Sequence, residues 1–454
     1  MVRKKFDTGR TMLVISLAVA CSAFVLSARS AQALTFTVNT NADTHDKTPG
    51  DGKCSDGTKC SLRAAIEENN KLAGNAIINV PGYTITLKTN AGYGQLDFKA
   101  PATVNGAGVG ANGTIIDAGG QSRVMRVNVI SVVLNGLVLR NGNGCTNATT
   151  CDVYQNGGEL AVDSSGWATV RHCVFTTNMT IPIKPFPGGG IAVYGNLDMS
   201  DSTVSNNSTT LGTSMGSSDT GGGVFIGVGG NAQIYYSTIS GNSAIRGGGI
   251  ANAGGTLKLV NSTISGNSSQ NEGGAGLFVS GTGRSDVMYT TIANNQITSP
   301  FLSSTYQVSW GAGIRVYQSV LNLGKSIIAY NNDNRKPTDA YYSPDIGQDD
   351  ASKIVSYDDN LITVVGKHIG NYVGADGVAW DWFGNGYVYL GYLANNGGET
   401  QTHYLIEGDP IDSYSGNGGD ARFASPGDDQ THFGRPDDGD GDGVALADSG
   451  SFEY

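Results

Sequence analysis

Three groupings in the chain have the residue types and spacing to do chemistry. The first is Asp438-Gly-Asp440-Gly-Asp442-Gly443. Carboxylates at alternate positions, followed by a glycine that permits a sharp turn, open a calcium loop. Position twelve of that loop falls on Ser449 instead of a bidentate glutamate, and Asp448, one place earlier, or Glu453 could substitute. The run is therefore expected to hold a structural calcium ion or to be a solvated acidic turn. The second grouping is Glu159, Arg171, His172 and Lys184, an acid among bases that could move a proton if one surface gathers them. The third is Tyr194, Phe225, Phe278, Arg315 and Tyr317. Aromatic rings in a row can stack on the apolar faces of sugars, and an arginine can hold a carboxylate. The competing expectation is that corner loops fold over these rings and bury them.

What would position the third grouping is a repeat. Ser237-Thr-Ile-Ser-Gly-Asn242 returns about 25 residues later as Ser262-Thr-Ile-Ser-Gly-Asn267, with Gly247-Gly-Gly-Ile250 between. Similar segments align on Asn141, Asn178, Asn207, Asn242, Asn267, Asn295 and Asn331. Three residues before each lies Val138, Phe175, Val204, Ile239, Ile264, Ile292 or Ile328, and eight before lies Val133, Val170, Met199, Ile234, Leu259, Val287 or Leu323. A third apolar column follows the glycines at Leu160, Ile191, Val224, Ile250, Leu277 and Ile314. Each column begins or sits in a run of period two, which means strand. The chain is expected to be an all-β, right-handed parallel β-helix of about nine coils, with asparagines laddered at one bend and glycines at another. On that fold the aromatic grouping, with Asp163, points outward.

The flanks read differently. Residues 1–33 carry Arg3, Lys4, Lys5 and Arg10, an apolar run and Ala31-Gln-Ala33, the pattern of a secretory signal peptide. The remainder holds no segment expected to cross a membrane. Residues 34–75 contain Ser61 before Leu62, Ala65, Ile66 and Leu72, an amphipathic helix with its N-cap, expected to cover the first strand edge of the solenoid. The solenoid is assigned to residues 76–332, a Tyr/Trp/Gly-rich connection to 333–392 and an irregular acidic module to 393–454. In an oxidising compartment Cys54 can close a small loop with Cys60 and Cys145 with Cys151, leaving Cys173 as a buried thiol. With 28 Lys and Arg against 39 Asp and Glu, nucleic acid and anionic membranes are excluded as expected partners.

Two end motifs carry a resemblance. Cys54-Ser-Asp-Gly-Thr-Lys-Cys-Ser-Leu-Arg-Ala-Ala-Ile-Glu-Glu-Asn-Asn70 resembles the CSLREA-type N-terminal module of exported bacterial proteins, with Ala64 in place of its glutamate. Leu393-Ala-Asn-Asn-Gly-Gly-Glu-Thr-Gln-Thr-His403, Gly408-Asp-Pro-Ile-Asp412 and the terminal Asp448-Ser-Gly-Ser-Phe-Glu-Tyr454 are similar to the choice-of-anchor Q module. The repeats between resemble those of pectate-lyase-like proteins and polymorphic outer-membrane proteins. The resemblance implies export, a β-helix and surface attachment, and it carries over no catalytic residue.

A non-catalytic secreted or cell-surface protein that binds glycans or other surface partners is the function this sequence favours. The alternative is a polysaccharide lyase, which needs carboxylates to hold calcium beside a basic residue, or a glycoside hydrolase, which needs paired carboxylates. The outward columns after the glycine corners supply only Asp163 and Arg315. Asp345, Asp349, Asp350, Asp376 and Asp381 could contribute only if the C-terminal part folds back.

Overall fold

The computed structural model describes residues 33–90, 92–144, 157–178, 188–209, 220–270, 273–298, 311–334, 344–357, 360–364, 372–374, 382–383, 389–407, 428–434 and 451. Period-two strands stack coil on coil into three long parallel sheets. Sheet I has 12 strands, from Thr35–Thr37 to Tyr372–Gly374, sheet II has 11, from Thr84–Thr86 to Trp382–Phe383, and sheet III has nine, from Leu96–Phe98 to Ile346–Gln348. The protein is a parallel β-helix. It has more coils than the expected nine, because strands such as Lys353–Ser356 and Tyr372–Gly374 continue the sheets past the last repeat motif.

One coil shows how the sequence builds the core. Ile250, Leu257, Leu259 and Ile264 all point inward and are fully buried, each contributing roughly 2 kcal/mol over the exposed state. The glycine-following column is in register from Leu160 through Ile191, Val224, Ile250 and Leu277 to Ile314. One inward position is polar. Asn252 is tolerated because it donates to Gly255 O and Ser285 Oγ and accepts from Gly255 N.

The alignment slips by one residue in the coil before Val170. Leu134 pairs with Val170 and Leu139 with Phe175, so Leu134 and Leu139 are the inward residues and the expected Val133 and Val138 face outward. Valine and leucine alternate there on both faces, leaving the strand's phase unspecified by its own pattern. Asn141 consequently sits at the bend, with φ 52°, and donates to Asp117 outside the ladder.

The remaining asparagines form the expected ladder. Asn267 Oδ1 accepts from the Asn242 backbone N at 2.9 Å and its Nδ2 at 3.0 Å, while Asn267 Nδ2 donates to Asn295 Oδ1 at 2.9 Å and to Ile239 O at 3.0 Å. Glycine opposite leaves room for this. A Cβ at Gly249 would lie 3.0 Å from Asn267 Nδ2 and 2.6 Å from Gly276 O. At the far end Asp345 accepts the last amide, from Asn331 Nδ2 at 2.8 Å. Glu159 closes the near end by another means. It precedes Leu160 as Gly190 precedes Ile191, its buried carboxyl lies near the Gly142 peptide N–H, and Asn178 turns aside to pair with Ser208.

The N-terminal end is covered by α1, Leu62–Leu72, whose Ser61 N-cap accepts from Ala64 N. Leu62, Ala65 and Ile66 are buried as expected, whereas Leu72 is exposed and Asn69 takes the inward place. Arg63 grips Asp43 through two nitrogens, at 2.7 and 2.9 Å, so the buried guanidinium is paired. Cys54 and Cys60 form a disulfide, while Cys173 is free and buried, its thiol pushed up to about 12 by burial. Cys145 and Cys151 lie outside the described residues, as do residues 1–32 of the signal peptide expected at 1–33.

Candidate binding face

The three sheets present three different outer faces. On sheet III the expected stripe divides into two columns. Phe225, Ala251, Phe278 and Arg315 are in register, and Tyr194 and Tyr317 lie in the neighbouring column. Phe225 and Phe278 are buried in a satellite cluster with Ala251, with Tyr194 packed against it. The Arg315 guanidinium, also buried, lies 5.8 Å from the Phe278 ring centre and 5.5 Å from that of Tyr317. Of the two expectations for this stripe, burial holds for Phe225, Phe278 and Arg315. Tyr317, 38% exposed, and half-buried Tyr194 are the edges a ligand could reach. Asp163 is engaged by Arg126 at 2.6 Å.

Sheet II is closed over its later coils by the C-terminal part of the chain. Thr238, Thr263, Ser265 and Thr291 face outward yet are buried, hydrogen-bonded to Gln401, Gln430, His403 and Ser451. The fold-back that sequence could not decide does occur. It brings hydroxyl and amide groups to the sheet, while Asp345 stays in the ladder, its carboxyl pushed up to about 6 by burial. Asp376 and Asp381 lie outside the described residues.

Sheet I is open. Thr169, Asp198, Gln233, Lys258, Asp286 and Asn322 form one outward column in register, with Arg171, Ser200, Tyr235, Val260 and Met288 beside it. From Trp167, 47% exposed, to Val260 these side chains are half-buried or exposed. The groups are tied together laterally. Arg171 donates to the Asp198 carboxylate at 2.9 Å, Tyr235 donates to Gln233 Oε1 at 2.8 Å, and Lys258 Nζ lies 5.6 Å over the Tyr235 ring. Farther along, Arg284 holds Asp286 at 2.8 Å. Such a surface offers a rigid ring, amides and fixed charges in a line, with one row every 4.8 Å or so.

It lacks the arrangement hydrolysis requires. Asp198 and Asp286 stand three coils apart, about 14 Å at strand spacing, beyond the separation of a working carboxylate pair. Among the described residues no three His, Cys, Asp or Glu side chains are grouped to hold a metal ion. The Glu159, Arg171 and His172 grouping does not assemble. Glu159 is inside, Arg171 faces out from sheet I, and His172 occupies the next bend. Period two explains the scatter, since neighbouring residues point to opposite faces. Lys184 and the run from Asp438 to Asp448 lie outside the described residues. The sheet I columns are legible in the sequence, because they flank the inward Val170, Met199, Ile234 and Leu259.

No family model and no curated protein matches the chain. A solved structure described as the crystal structure of pectate lyase Pel9A is similar over 92% of this chain and 96% of that one, with a TM-score of 0.44 and 12% identity. The fold rests on the parallel registers themselves. No helix among the described residues is long and apolar enough to cross a membrane.

Proposed function

We propose that this is an exported, non-catalytic β-helix protein that binds extended glycans along the open face of sheet I. The observation that carries the reading is that, among the described residues, sheet I presents a row of half-buried or exposed aromatic, amide and charged side chains from Trp167 to Val260. Sugar units in an extended chain recur at a spacing close to that of the coils, so successive units can meet equivalent positions. The net charge of −11 favours neutral over strongly anionic glycans. A disulfide and a leader-like N-terminus support an extracellular site of action.

The test is affinity electrophoresis through gels holding neutral or uronate polysaccharides, alongside assays for new double bonds and new reducing ends. Retardation by a neutral glycan without turnover is expected, and Tyr235→Ala with Trp167→Ala should weaken it about tenfold or more, as loss of stacking aromatics does. Turnover of any polysaccharide would establish the enzyme instead, and retardation unchanged in the double variant would remove sheet I as the site.

The acidic run is proposed to take calcium through Asp438, Asp440 and Asp442, with Asp448 completing the set. Three carboxylates so close repel one another, and a divalent ion relieves this. Calcium at a hundredfold excess over Kd should stabilise by about 2.7 kcal/mol. Melting with calcium and with chelator reads this, using Asp440→Asn as control. A melt indifferent to chelator would show a solvated turn.

A further inference from the structure

The bends between sheets I and II are single residues in the left-handed conformation, His172, Asp201, Tyr236, Asn261, Tyr289 and Lys325, with φ between 46° and 52°. Aspartate, asparagine and histidine tolerate this conformation, while tyrosine and lysine are held there by the sheets on either side. The column so formed displays side chains in a line beside the hydroxyls of sheet II. The described part of the C-terminal segment, 389–407 and 428–434 with Ser451, docks on both.

Two histidines sit at that junction in opposite circumstances. His432 Nε2 meets the Asp201 carboxylate at 2.8 Å and Nδ1 meets Asp428 at 3.2 Å. Its ring lies 4.9 Å from that of Tyr236, whose hydroxyl donates to Asp428 at 2.8 Å. With a carboxylate on each nitrogen, the arrangement is satisfied only by the doubly protonated ring. His403 is buried between a carbonyl and a hydroxyl, Nδ1 at 2.7 Å from Gly391 O and Nε2 at 2.8 Å from Ser265 Oγ. The carbonyl requires a proton on Nδ1 and Ser265 can donate to Nε2, whose partners are complete in the neutral ring. None of its described partners carries a charge. A further contact, His172 to Glu399 at 3.9 Å, has both side chains about half exposed and is screened by solvent.

We propose that the C-terminal segment is a two-histidine latch on the β-helix, docked most tightly at mildly acidic pH and loosened by both acid and alkali. Burial opposes the charge on His432, yet Asp201 and Asp428 outweigh it and hold its pKa above the ordinary 6.5. Its contribution is full below 6.5 and is lost as pH rises through the raised value. Burial holds His403 below 6.5, so its contribution is full above that pH and is lost as pH falls through the lowered value. The two losses begin on opposite sides of 6.5, which places the optimum there. Burial and Asp428 push the Tyr236 hydroxyl up to about 12, so it stays protonated throughout.

Hydrogen exchange by mass spectrometry on the full chain, corrected for the intrinsic pH dependence of exchange, tests the latch. Protection in 391–407 and 428–434 is expected to peak near pH 6.5 and to fall several-fold by pH 5 and by pH 8.5, while protection in 250–265 holds. His432→Gln should remove the alkaline limb. His403→Gln, which keeps one donor and one acceptor, should remove the acid limb and preserve docking. Flat protection in the wild type, limbs that persist in both variants, or segment and core exchanging together would each overturn the proposal. Glycan binding plays no part in these readouts, so the latch stands or falls separately from the function proposed above.

Discussion

Glu159→Gln makes the protein more stable at pH 7 and leaves its stability nearly unchanged at the acid end of the profile. Glu159 is fully buried, and neither carboxyl oxygen has a hydrogen-bond partner. Burial pushes its pKa well above the usual 4.5, outweighing the pull of the nearby peptide N–H groups of Glu159 and Gly142. The native state therefore holds a proton that the unfolded chain releases above pH 4.5, and folding stability declines as pH rises from there toward the raised pKa. Glu159 contributes this decline across the whole interval between its unfolded and its raised folded pKa. Glutamine keeps the shape and cannot ionise. Denaturant unfolding across that range should show the slope in the wild type and a reduced one in the variant. Below pH 6 Asp345, whose raised carboxyl acts with the same sign, adds to the slope, and His403 acts against it. Parallel wild-type and variant profiles would mean that Glu159 ionises freely, against its burial.

The sequence made some levels of this structure legible and hid others for physical reasons. Inward columns could be read wherever polar residues separate apolar ones, as at Leu257-Lys-Leu259, because burial of one face only fixes the phase. The reading slipped at Val132–Asn135, where both faces are apolar, and stopped at Asn331, beyond which Ile346–Gln348 and Lys353–Ser356 continue the sheets without the glycine and asparagine signature. Function was harder because it depends on which outer face remains uncovered. Nothing local to Phe225 or Phe278 distinguishes an exposed ring from a buried one. Nothing local to Thr238 or Thr263 announces that Gln430, far along the chain, will cover them. These are long-range events, and strand periodicity carries no information about them. Glu159 marks the converse case. It replaces a repeating glycine, a local irregularity that could have been read as special but not as interior.

Among the asparagines, identical sequence context does not mean identical cost, and Asn267→Ala is expected to be more damaging than Asn178→Ala. Alanine at 267 removes the acceptor of Asn242 N and Nδ2, and the donor to Ile239 O and Asn295 Oδ1, all within a buried stack. Water cannot reach these groups, and leaving even one or two of them unmatched costs about 3 kcal/mol. Asn178 begins the series outside this pattern. Its side chain donates to Ser208 O at 2.9 Å and accepts from Ser208 N at 2.5 Å, both at a part-buried position, and its backbone N keeps its bond to Asn207 Oδ1 at 3.1 Å whatever the side chain. Truncation there should cost about 2 kcal/mol, the net worth of two ordinary hydrogen bonds. Chemical denaturation of the two variants under one condition measures the difference. Equal losses would show that the ladder contributes no more than its individual bonds, and that stability resides in the apolar columns. A larger loss at 267 would show that the stack stabilises through burial of a continuous amide chain, which explains why glycine must stand opposite it at Gly223, Gly249 and Gly276, where a Cβ would approach the ladder amides to 3.0 Å or less.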